Sequence, residues 1–404
     1  MRRTSNQDSH ALVVAETPEL WQARGHFFLV ADGMGAHAAG ELASKLAADG
    51  VLHLYLKYRE ESAPDALSRA IRETNAEIHR RGTANPDFHN MGTTCSALLL
   101  LPQGAVVAHI GDSRIYRLRG QKLEQLTFDH SLQWELQASG QLPPGSDLAA
   151  VVPKNVITRS LGPNAAVQLD LEGPHPIEVG DIFLLCSDGL TARVEDAELG
   201  PILTALPPEE AVRALVDLAN LRGGPDNVTI VVAKVMGSEL ATAGAHASPL
   251  TVGAEPNRTL VHPGIWIAAC VCALASVVML VLRLFPAAAV AAALAAIIGL
   301  VGLARRFGTG GGTSLADGRR MGRGPYSETF SQPDHEFLGK LAHTVDELRE
   351  AAREGDWVID WRKFDEFVSK ALAADRDKQY IDGVRYFCRS ITFMMNELRS
   401  QPIR

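Results

Sequence analysis

Four times along this chain an apolar, β-prone run begins or ends at an aspartate set in a turn. The four are Asp32-Gly33-Met34-Gly35, Gly111-Asp112-Ser113, Ser187-Asp188-Gly189 and Gly224-Pro225-Asp226-Asn227, with Asp8 as a fifth aspartate near the start. A single Asp-Gly after a buried strand is an ordinary turn. Four recurrences are a stronger constraint, because carboxylates delivered from several strand ends can converge on one site. Converging carboxylates repel one another unless cations neutralise them. Hard divalent ions favour such all-oxygen sites, and Mg²⁺ or Mn²⁺ suits an octahedral set completed by water.

The surrounding pattern fits that geometry. Short apolar runs at 26–31, 93–101, 105–111, 114–119, 167–171, 181–186 and 228–235 read as strands. Apolar residues at helical spacing mark helices over 39–58, 64–80 and 208–221, the last entered through Pro207-Pro208 and followed by Gly223-Gly224. The strands cluster rather than alternate with helices, which favours α+β layering over a doubly wound parallel sheet. Net charge is −8, so no general nucleic-acid affinity is expected: neutralising a phosphate backbone takes a clustered basic surface. The five cysteines are scattered and form no zinc spacing, and they read as buried thiols in a reducing compartment. The polar N-terminal residues show no signal-peptide pattern.

The second half reads differently. Residues 237–262 are rich in Gly, Ala, Ser and Pro and read as a linker. Two uncharged segments, about 264–282 and 287–304, flank Arg283-Leu284-Phe285-Pro286 and are long enough to suggest a transmembrane helical hairpin over 263–306. Arg305, Arg306, Arg319, Arg320 and Arg323 follow, so the positive-inside rule places both flanking domains in the cytoplasm of a two-span membrane protein, with the lipid bilayer as a partner. Residues 307–333 read as a flexible linker. Residues 334–404 carry three apolar stripes at helical spacing and read as a small helical domain.

Eight segments in order resemble the metal-dependent PP2C-type (PPM) serine/threonine phosphatases in their bacterial form. They are Arg3-x-x-Asn6-Gln7-Asp8, the run from Val30 through Asp32-Gly33-Met34-Gly35 to Ser44, Met91-Gly92-Thr93-Thr94, and Ile110-Gly111-Asp112-Ser113-Arg114-Ile115-Tyr116. Then come Thr127-x-Asp129-His130-Ser131, Ile157-Thr158-Arg159-Ser160-Leu161-Gly162, Leu185-Cys186-Ser187-Asp188-Gly189-Leu190 and Pro225-Asp226-Asn227-Val228-Thr229. The resemblance covers residues 1–236 and stops before the apolar segments.

It implies a four-layer α-β-β-α sandwich with a two-metal centre at one end. Asp32 would bridge two Mg²⁺ or Mn²⁺ ions and the Gly33 carbonyl would ligate one. Asp188 and Asp226 would hold the first ion, and Asp8 would bear on the second through water. Asp112, with Asp188, would form a weaker third site. Arg3 would grip the substrate phosphate as a bidentate donor. The implied activity is hydrolysis of phosphoserine and phosphothreonine in proteins by a metal-activated water, opposing a membrane Ser/Thr kinase. The alternative is an inactive phosphoprotein-binding scaffold that keeps the fold. Three departures from the family pattern stand out: Arg3 lies almost at the start, Gln7 replaces a common glutamate, and Met34 stands where other members have a histidine acid. The leaving-group acid is therefore unassigned; His37 is close in sequence and reads equally well as a structural histidine. Residues 132–155 read as the flap that borders the site in this family.

Overall fold

The computed structural model describes residues 5–35, 38–143, 146, 151–153, 156–242, 250–253, 263–307, 313–315 and 319–401. The chain divides into two compact units, one of residues 1–58, 66–248 and 319–404 and the other of 59–65 and 249–318.

The first unit is built on two antiparallel sheets. One contains β1 (Asp8–Val13), β2 (His26–Met34), β4 (Cys95–Leu101), β5 (Gly104–Ile110) and β8 (Asp170–His175) in that order, with the short β3 (Gly92–Thr93) on β2. The other runs β10 (Ile230–Lys234), β9 (Ile182–Cys186), β6 (Arg114–Arg119), β7 (Lys122–Gln125) and β13 (Ser327–Phe330). Side chains alternate across each strand. Phe28 and Val30 of β2 meet Phe183 and Leu185 of β9 in the core between the sheets. Leu184 and Cys186 face the opposite way, in the core that also holds α6 (Asp196–Ala205) and α7 (Pro208–Leu221). On the first sheet, Phe27 stacks on Tyr55 of α2 (Ala39–Lys57) at 5.5 Å. Antiparallel sheets and helices together thus make up the fold anticipated from the sequence.

The C-terminal residues of this unit form α10 (His335–Glu354), α11 (Trp361–Arg376) and α12 (Tyr380–Ser400). Their buried faces, including Leu341, Phe364, Phe387 and Met394, join the core of α6 and α7. Arg389 pairs with Glu210 at 2.8 Å, and Arg385 Nε donates to the Ala205 carbonyl at 2.9 Å. Two local readings change. The strand expected at 167–171 lies at Asp170–His175, and part of the segment read as a flexible linker is strand β13.

The second unit contains α8 (Pro263–Val281), α9 (Phe285–Phe307) and the pair β11 (Thr251–Val252) and β12 (Thr313–Ser314). Arg283 sits in the left-handed region (φ 56°) between the helices, and Ser276 Oγ donates to the Ala288 carbonyl at 2.9 Å. Among the described residues, no helix is long and apolar enough to cross a membrane. This overturns the expected two-span hairpin, the transmembrane assignment and the membrane localisation derived from them. A span needs about 20 consecutive, predominantly apolar residues. Here the first helix ends at Val281 with Arg283 just beyond, and the second carries nine alanines among its 23 residues, whose small side chains carry little apolar area.

Candidate active site

Strand pairing brings the aspartates together. On the first sheet Asp8 of β1 lies directly opposite Asp32 of β2. On the second, Arg114 pairs with Cys186, so Asp112 before β6 and Asp188 after β9 leave adjacent strands at the same end. Cys186 also pairs with Ile230, which sets the turn holding Asp226 beside Asp188.

Side chains then tie the two sheets together at this end. Ser187 Oγ donates to Asp8 Oδ2 at 2.8 Å and accepts from the Thr229 N–H at 3.0 Å. The Gln7 N–H donates to Asn227 Oδ1 at 3.0 Å, and the Gly33 N–H donates to the Gln7 carbonyl at 3.1 Å. The Asp32 backbone is clamped from both sides: its N–H donates to Thr94 Oγ1 (2.8 Å), and its carbonyl accepts from Thr93 Oγ1 (2.9 Å). Thr94 Oγ1 also shares a 2.7 Å hydrogen bond with Ser113 Oγ, beside Asp112. Gly33 is required by packing, since a Cβ there would fall 2.1 Å from the Gly40 carbonyl oxygen.

The electrostatics report the same convergence. Burial and then the charges of Asp8, Asp188, Asp112 and Asp226 push the Asp32 carboxyl well above its usual range. Burial is also the leading cause for Asp112, pushed up to about 7 with help from Asp188 and Asp129. Asp8 is raised chiefly by burial, against the lowering effect of Ser187 and Thr229. Asp112 Oδ1 is buried with no hydrogen-bond partner. An acidic cluster that suppresses its own ionisation, with an orphaned carboxylate oxygen, is suited to divalent cations. Among the described residues, no three acidic, histidine or cysteine side chains stand close enough to enclose an ion by themselves.

Beside the aspartates lies a cavity of about 430 Å³ whose lining includes Asp112, Asp188, Arg114, Trp134 and Gln137. Trp134 and Gln137 belong to α4 (Leu132–Ala138), the described helix of the predicted flap. Arg114 is held by Asp129 at 2.7 Å, and its guanidinium lies 5.6 Å from the Trp134 ring. Arg3 and His37 lie outside the described residues. Thr94, Ser113, Ser187 and Asn227 hold the aspartates in place without any role of their own visible in the sequence pattern. Their signal was adjacency, since each neighbours a motif aspartate or its strand partner.

Fold and acidic cleft together define a metal-dependent hydrolase. Residues 2–219 match the family model for protein phosphatase 2C. The chain is similar to protein phosphatase PhpP of Streptococcus pneumoniae, 36% identical over 235 residues that span 57% of this chain and 92% of that protein. It is also similar to the serine/threonine protein phosphatase PstP of Mycobacterium tuberculosis, 35% identical over 58% of this chain and 45% of the relative. Among solved structures, the serine/threonine phosphatase of S. agalactiae superposes with a TM-score of 0.51 at 34% identity, covering 58% of this chain and 95% of that one. The catalytic domain of PstP, solved with two manganese ions, gives 0.48 at 35% identity, covering 59% and 94%. The chain belongs to the protein phosphatase 2C (PPM) family and is a serine/threonine protein phosphatase. Phosphatases of this family use two Mg²⁺ or Mn²⁺ ions.

Proposed function

We propose that the protein hydrolyses phosphoserine and phosphothreonine in proteins with a water activated at the aspartate cluster, reversing the product of a Ser/Thr kinase. The observation that carries this reading is the strand pairing that delivers five aspartates, Asp8 and Asp32 from one sheet and Asp112, Asp188 and Asp226 from the other, to one end of the sandwich. In this reading Asp32, the Gly33 carbonyl, Asp188 and Asp226 would hold the two ions. Asp8 would bear on the second ion, and Asp112 with Asp188 would hold a weaker third. Arg3 is assigned to the substrate phosphate from its place in the sequence pattern. When bound, the cations supply Lewis acidity, lowering the pKa of a water and neutralising the phosphoryl oxygens.

The chain's own residues do the positioning. Thr93 and Thr94 fix Asp32, Ser187 fixes Asp8, and the Gln7–Asn227 bond holds the turn of Asp226 against β1. Preorganised ligands need not rearrange as charge develops in the transition state.

The test is turnover of a phosphothreonine peptide by the full chain, with Mn²⁺ and with chelator, beside Asp32→Ala and Asp188→Ala. Activity should require metal, and each substitution should lower it by about 10²-fold or more. Wild-type protein that binds the phosphopeptide without turnover in Mn²⁺ would overturn this reading in favour of a phosphoprotein-binding scaffold.

A further inference from the structure

The C-terminal segment 321–331 lies outside the matched residues 2–219, yet it is built into the catalytic unit. Strand β13 pairs antiparallel with β7, from Ser327 opposite Gln125 to Phe330 opposite Lys122. Immediately after it, Ser331 plugs a defect in α6. Pro201 has no N–H, so the Ala197 carbonyl lacks its helical donor. Ser331 Oγ donates to that carbonyl at 2.9 Å and accepts from the Gly200 N–H at 3.1 Å. Gly200 leaves room, because a Cβ there would lie 2.3 Å from Ser331 Oγ.

Just before the strand, Tyr326 reaches toward the flap. Its hydroxyl donates to the buried Glu172, which also accepts from the Gly324 N–H at 2.9 Å. Its ring meets Phe128 edge-on at 5.4 Å, and Phe128 meets Trp134 edge-on at 5.4 Å. Phe128 also lies 6.1 Å from His130, whose backbone N–H donates to the Gly111 carbonyl beside Asp112. Trp134 is a wall of the 430 Å³ cavity next to the aspartates. Edge-to-face pairs of this kind favour a narrow set of ring orientations.

We propose that segment 321–331 braces the flap, with Tyr326 as a positioning residue that acts through Phe128 on Trp134 and so sets the substrate-side wall of the cavity. Residues far along the chain thereby tune protein-substrate binding without touching the substrate. The inference rests on the phosphatase reading above. It concerns the peptide around the phosphate rather than the phosphate itself, so a small aryl phosphate should be indifferent to it.

The experiment compares wild type, Tyr326→Phe, Tyr326→Ala, Phe128→Ala and the double Ala variant, all as full chains in Mn²⁺. Substrates are a phosphothreonine peptide and p-nitrophenyl phosphate. Tyr326→Ala should raise the peptide KM by about ten-fold while kcat on p-nitrophenyl phosphate stays within about two-fold. Tyr326→Phe keeps the ring and should stay near wild type. Phe128→Ala should match Tyr326→Ala, and the double variant should be no worse than either, because the two act in series. Hydrogen exchange over Leu132–Ala138 should quicken in Tyr326→Ala and not in Tyr326→Phe. An unchanged KM and unchanged exchange in Tyr326→Ala would sink the brace. So would damage by Tyr326→Phe equal to that by alanine, or additive effects in the double variant. If wild type turned over neither substrate, the phosphatase reading would fall, and the exchange measurement would still decide the brace. Should Tyr326→Ala not fold, Tyr326→Leu keeps apolar volume without the edge contact and takes its place.

Discussion

At the residue scale the site was legible because its chemistry is carried by aspartates whose neighbours are small. Asp-Gly, Asp-Ser and Asp-Asn steps mark turns, and turns at strand ends are where a sandwich gathers side chains. The partners that hold these aspartates were less visible, since Thr94 or Ser187 has no distinctive signal outside its strand pairing. The same holds for buried histidines. His175 is 1% exposed, and neither ring nitrogen has a hydrogen-bond partner. Burial first, then the charges of Arg117 and Arg320, hold it down at about 4, with Glu124 opposing. It is therefore neutral in the folded protein, while the unfolded chain takes up the proton near pH 6.5. The unfolded state binds more protons between those values, so stability is full above pH 6.5 and is lost as pH falls toward 4. Between pH 7 and pH 5 this one side chain should account for about 2 kcal/mol. Urea unfolding at the two pH values should show a smaller drop for His175→Gln than for wild type. Equal drops would mean that the ring is protonated in the folded state.

Elements with strong periodicity were read correctly in type, such as Ala39–Lys57, Pro208–Leu221 and the three C-terminal helices. Strand β13 was not, for physical reasons. It has four residues, follows a stretch rich in Gly and Arg, and takes its register from β7, roughly 200 positions upstream. Helix α6 also went unread, because Gly200-Pro201 in its middle argues against a helix until Ser331 is seen filling the gap. That compensation can be tested. Ser331→Ala removes the donor to Ala197 and the acceptor for Gly200, leaving two backbone groups without their partner. The loss should be about 1–3 kcal/mol, read as a shift in denaturation midpoint at constant slope. Ser331→Thr, which retains the hydroxyl, should recover part of it. No change in Ser331→Ala would mean that water serves both groups equally well.

For the whole molecule, the apolar pattern revealed which segments are helical but not what they pack against. The runs at Pro263–Val281 and Phe285–Phe307 have the hydropathy that suggested membrane spans, yet no described helix is long and apolar enough to cross a bilayer. Residues 334–404 read as a small helical domain, and their helices α10 to α12 complete the core over α6 and α7. Phe387 (1% exposed) and Met394 share that core with Leu199, Leu215 and Leu218 of the phosphatase region. Arg399 pairs with the buried Asp217 of α7, and Arg389 with Glu210. An interface of this kind couples the two regions energetically: helices that leave would expose the apolar faces of α6 and α7. Phe387→Ala should therefore destabilise more than the C-terminal helices. The expected loss is about 3–5 kcal/mol. Native-state hydrogen exchange should show protection falling together in α12 and in the interior strand β9, because both open through the same cooperative unit. Protection lost in α12 alone, with β9 and phosphatase activity unchanged, would make the C-terminal helices a separable appendage. The brace on the flap would then depend only on β13 and its attachment to β7.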